Sequence, residues 1–182
     1  ATGLATIDLG IKPDGTLTEQ IAYAIRRLLI EENVDVAFDL HEAGVTSRLA
    51  NTLVVHPKGM DAAVFAILDL SAQGIHINLE PSREEFRGLS HREWGDHTQA
   101  LSFLTETANP GQSPDIVNPD VINDPVNPLH DRVGRQLAMV RAVLDATALL
   151  GVPPVTYDGV PTYADLVRDG LSPWLNAPTA LP

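Results

Sequence analysis

With 182 residues, 44% of them hydrophobic and 20% charged, the chain can build one domain around a sizeable core. Its 24 acidic residues against 12 Lys and Arg leave a net charge of −12, which excludes nucleic acid as a partner and disfavours an anionic membrane surface. The absence of cysteine removes disulfides, thiolate nucleophiles and Cys-ligated zinc, and no apolar run approaches the roughly 20 residues of a membrane span.

Residues 1–15, rich in Gly and Pro, read as an irregular entry with room for one short strand. Thr16 or Thr18 caps a helix whose Ile21, Ala24, Ile25, Leu28 and Leu29 recur at helical spacing. Val34 to His41 is short, apolar and partly β-branched, a buried strand with Asp39 and His41 arriving at its C-terminal end. Leu53–His56 is a second strand closed by Pro57. Asp61–Ala72 is a helix with Val64, Phe65, Ile67 and Leu68 as its apolar face, and Ile75–Leu79 is a further strand.

The polar stretch 80–98 reads as a loop or short helix, and Leu101–Glu106 as a strand. Five prolines make 109–128 an extended covering loop. Arg132–Leu150 is the strongest helix, with Val133, Leu137, Val140, Val143, Leu144 and Ala148 on one face. The tail 155–182 packs over the domain through Tyr157, Tyr163 and Trp174. Alternating strands and helices give an α/β, three-layer α/β/α architecture in one domain, 1–182. The chain is expected to be soluble, cytoplasmic or exported after removal of a signal.

Two residues stand out chemically. Residues i and i+2 of a strand face the same way, so Asp39 and His41 could be co-ligands of a metal, or Asp39 could orient His41 from behind. A core histidine bonded to backbone is the equal alternative. Glu106 at the end of an apolar strand could be a general base, or a plain surface carboxylate. Arg83, Arg87, His91, Arg92 and His97 read as a solvated loop from which one arginine could grip a carboxylate. His56 reads as a strand end, His76 as an interior histidine, His130 as the start of the long helix, Trp94 and Trp174 as packing residues, and Glu84–Glu85 as a solvated charge run. No Gly-x-Ser-x-Gly elbow and no glycine-rich phosphate loop occurs.

Taken together, Phe38-Asp39-Leu40-His41-Glu42 resembles the third-ligand strand of the zinc carboxypeptidases and their relatives, the aspartoacylase and succinylglutamate desuccinylase group. Leu104-Thr105-Glu106-Thr107-Ala108 resembles the strand carrying their catalytic glutamate. The resemblance spans roughly residues 20 to 150. It implies a mixed, mostly parallel central sheet of phosphorylase/hydrolase-like type, a zinc ion bound by His41, and Asp39 behind that ligand. It also implies Glu106 activating a metal-bound water to cleave a peptide or N-acyl amino acid amide. The substrate-binding residues are not indicated.

Two departures accompany the likeness. The family's other ligands come from a His-x-x-Glu motif, and its Asn-Arg pair grips a substrate carboxylate; neither occurs here. Residues 80–100 also hold no tyrosine, which the carboxypeptidases proper carry before their glutamate; this tilts the likeness toward the divergent members and away from a digestive-type carboxypeptidase. The chain would then be a catalytic-type domain lacking the N-terminal part of the fold, supplied by the rest of a longer protein or by a second polypeptide, or else zinc is bound differently. A non-catalytic binding module is the alternative, and an Asp39-x-His41 phosphoesterase ranks last.

Overall fold

The computed structural model describes residues 12–112 and 124–175. The irregular entry up to residue 11, most of the proline-rich loop and the last seven residues lie outside them. Helix α1 (Leu17–Glu31) starts on a reciprocal cap: Thr16 Oγ1 accepts from Glu19 N, and Glu19 Oε2 accepts from Thr16 N at 2.7 Å. Asn33, at φ 49°, turns the chain into strand β1 (Val36–Gly44). Strand β2 (Thr52–Val55) leads through a 3₁₀ turn, Pro57–Gly59, to α2 (Met60–Ala72). Then follow β3 (Asn78–Pro81), α3 (Ser90–His97), β4 (Leu101–Asn109), α4 (Leu129–Leu149) and α5 (Tyr163–Asp169).

The four strands form one open mixed sheet in the order β1-β4-β2-β3. β1 runs parallel to β4, β2 parallel to β3, and β2 antiparallel to β4. Helices lie on both faces, as an α/β/α layout requires. On one face Leu53, Val55 and Phe103 pack with Phe38 against α2 and α4. On the other, Ala37 packs with Leu29 of α1, Ala100 and Trp94 of α3. No helix among the described residues is long and apolar enough to cross a membrane.

Helix faces differ from the expectation. The buried residues of α2 are Ala62, Ala63, Ala66 and Leu70, while Val64, Phe65 and Leu68 are 42%, 47% and 62% exposed. In α4, Ala138, Met139, Ala142, Val143 and Ala146 are buried, and of the expected face only Val143 joins them fully. Alanine rows let two helices and a sheet approach closely, so side-chain size, not hydrophobicity, selects the inner face. Strands β1 and β4 both run three residues past their expected ends, to Gly44 and Asn109, so Asp39, His41 and Glu106 sit within the ladder instead of closing it. β3 begins at Asn78 and not Ile75, because its ladder with β2 opens at Thr52↔Asn78; Ile75 and Ile77 are buried nonetheless.

His130 lies in the first turn of α4, and Glu84 and Glu85 are exposed, as expected. His76 is exposed, contrary to its interior assignment, and Trp174 is 41% exposed. The tail covers α4 through Tyr163, which donates to Asp131 Oδ1 at 2.5 Å, and through fully buried Leu166.

Candidate active site

Register brings the two chemical residues together. In the parallel β1–β4 pair His41 is the direct partner of Glu106, and in the antiparallel β4–β2 pair Glu106 faces Thr52. Asp39, two residues back along β1, shares their face. His41 Nε2 lies 3.2 Å from Asp39 Oδ1, and its Nδ1 lies 3.8 Å from Glu106 Oε1. From behind the sheet, the Gln136 amide of α4 donates to His41 O at 2.6 Å and accepts from the Thr105 hydroxyl, which fixes the backbone that carries both residues.

Glu106 is 8% exposed, and its Oε2 is buried without a hydrogen-bond partner. Burial penalises its charged form and pushes the carboxyl up to about 7; the His41 charge opposes this, and Asp39 and Glu42 reinforce it. His41 is raised above the usual imidazole range by its hydrogen bond to Asp39, against the pull of burial. For Asp39 burial acts upward, but hydrogen bonds from His41 and Ser90 outweigh it and hold the carboxyl low. Asp39 is therefore the fixed anion of the trio, lying at the Nε2 side of His41, while Nδ1 is the ring nitrogen on the Glu106 side.

The stretch 83–97 is solvated only in part: Arg83, Arg87 and His97 are exposed, but the expected short helix forms over Ser90–His97 and takes His91 into the interior. A 3₁₀ turn, Glu84–Phe86, leads into α3, whose His91 is 1% exposed with Nε2 2.9 Å from Ser82 Oγ. Burial pushes His91 down to about 4, so it is a neutral interior residue. Arg92 is committed to Asp96 at 2.8 Å and to Ser82 O at 3.2 Å, and Arg83 to Glu80 and Glu85; Arg87 is exposed. His56 is more than a strand end: its Nε2 meets Asp96 Oδ1 at 2.9 Å, and its Nδ1 accepts from Lys58 N.

The sequence reading missed Ser90, whose hydroxyl donates to Asp39 Oδ2; a serine in a polar run gives no signal of a contact 51 residues away. It also missed the role of Gly95. A Cβ there would meet His56 Cγ at 2.2 Å, and the ring cannot retreat because both its nitrogens are held. Gly95→Ala is expected to cost about 1–3 kcal/mol by overpacking. Urea denaturation checks it, and a change below about 0.5 kcal/mol would show that α3 can shift freely.

The chain matches no family model, no curated protein and no solved structure.

Proposed function

We propose that this chain is the base-bearing part of a zinc-dependent hydrolase that cleaves the amide bond of a peptide or N-acyl amino acid. In this reading its sheet is of zinc-carboxypeptidase type, His41 is one metal ligand and Glu106 the general base. The observation that carries the reading is Glu106 itself: a buried carboxyl with an unpartnered oxygen, 3.8 Å from His41 Nδ1, in surroundings that push its pKa up to about 7. A structural carboxylate would be paired or solvated.

The fit to a metal is partial. His41 Nδ1 supplies one donor of the right kind. Among the described residues no three His, Asp or Glu side chains are grouped to hold an ion, so the remaining donors would come from beyond them or from a second polypeptide. When bound, zinc would supply Lewis-acid polarisation of the amide carbonyl and acidify water. The chain's own residues do the rest. Glu106, balanced near pH 7, takes a proton from water and returns it to the departing amine; a group of that proton affinity can do both in one turnover. Asp39 keeps the imidazole in the tautomer that leaves Nδ1 free.

Zinc content after dialysis, read by mass spectrometry, tests the reading. With the remaining donors in this chain outside the described residues, about one zinc per chain is expected, with affinity falling in His41→Ala by more than the roughly 10–100-fold that loss of a supporting partner costs. Affinity unchanged by His41→Ala removes His41 from the ligands. A second reading, an incomplete subunit or non-catalytic binding module, draws on the lack of any His-x-x-Glu in the sequence; absence of bound zinc in the same measurement favours it.

A further inference from the structure

We propose that Ser90 is a positioning residue for this site: its hydroxyl clamps Asp39 so that the other carboxylate oxygen holds His41 Nε2 and turns Nδ1 to Glu106. The inference rests on reading His41 and Glu106 as the reactive pair. A continuous series of contacts carries it, from Ser90 Oγ to Asp39 Oδ2, from Asp39 Oδ1 to His41 Nε2, and from His41 Nδ1 to Glu106 Oε1.

A free carboxylate on a strand can rotate about its own side-chain bonds, and one contact to an imidazole 3.2 Å away does not stop it. A second contact from a different element does. Ser90 is suited to that task because α3 is fastened independently of the site. Lys58 Nζ donates to Gly95 O at 2.6 Å and Thr98 O at 3.1 Å, and Asp96 is gripped by both His56 and Arg92. Glu93 Oε1 accepts from Gly88 N at 2.7 Å, and His91 meets Ser82. The hydroxyl therefore arrives at Asp39 from a scaffold that the imidazole does not influence. Supporting partners of this kind fix ring orientation and ligand basicity.

Long-range ¹⁵N NMR of the whole chain, at about pH 9 where the imidazole is neutral, reads the His41 tautomer without metal or substrate. The wild type is expected to favour Nε2–H by about tenfold or more, as a hydrogen bond to a charged group implies. Ser90→Ala is expected to cut that excess several-fold, and Ser90→Thr to restore it. An excess that is the same in Ser90→Ala as in the wild type overturns the proposal. Should Ser90→Ala fail to fold, Ser90→Cys takes its place: its thiol is a weak donor, so a reduced excess beside a retained one in Ser90→Thr supports the clamp, and equal ratios in the two overturn it. A wild-type chain that binds no zinc and hydrolyses nothing would defeat the functional reading while leaving the tautomer result intact.

Discussion

Glu106→Gln is expected to cut amide hydrolysis by about 10²–10⁴-fold, the usual contribution of a positioned general base, and at the same time to stabilise the fold at alkaline pH. Gln keeps the shape of the side chain and cannot take a proton. The stability effect follows from the buried carboxyl. In the folded chain it titrates near 7, against an ordinary value of 4.5, so the folded state holds the proton more tightly than the unfolded one. That stabilisation is complete below about pH 4.5 and is lost as pH rises through 7. At 1.36 kcal/mol per pH unit the loss is of order 3 kcal/mol.

Gln pays no such penalty. Glu106→Gln should therefore match the wild type in stability near pH 4.5 and exceed it by about 3 kcal/mol at pH 8.5. His41 also binds its proton more tightly when folded, but mainly through Asp39, which the variant keeps, so the difference isolates Glu106. Denaturant midpoints at the two pH values measure it. An equal gap at both would mean that the carboxyl is solvated, and full activity in Glu106→Gln would remove it from the chemistry. A residue that destabilises the fold in the state its reaction needs is a common signature of an active site.

Phe103→Ala should have the largest effect on stability, about 3–5 kcal/mol. The ring is fully buried in the central strand, stacked on Phe38 with centroids 5.4 Å apart. It also closes on Gly59, where a Cβ would meet Cζ at 2.8 Å, so the turn after β2 cannot follow the ring's removal without moving α2. Phe103 is on the opposite face of β4 from Glu106, and activity should fall only in proportion to the unfolded fraction. Urea titration measures the first part; a loss under about 1 kcal/mol would show that the core collapses to fill the space.

The elements could be read from the sequence wherever one residue type dominated. Thr16 with Glu19 announced α1, Pro57 closed β2, and the β-branched run around Val36 announced β1. The inner faces of α2 and α4 could not be read, because alanine carries little hydrophobic signal and only the third dimension shows that two helices approach along alanine rows. Period-two alternation placed Asp39 and His41 on one face, and strand ends rich in chemistry pointed to His41 and Glu106. Their adjacency on neighbouring strands was implied by the family likeness and by no local pattern, because it depends on strand order, with β4 inserted beside β1 after two intervening strands. Ser90 and Gly95 were illegible for the same reason: each matters through a residue more than 35 positions away, Ser90 through Asp39 and Gly95 through His56.

The pairing of imidazole and carboxylate can be measured without zinc or substrate, by following the Glu106 side-chain carbon through a pH titration in ¹³C NMR. The account expects a midpoint near 7, moved upward in His41→Ala because the neighbouring positive charge that favours the carboxylate is gone. A midpoint in the ordinary range near 4.5, indifferent to His41→Ala, would contradict it.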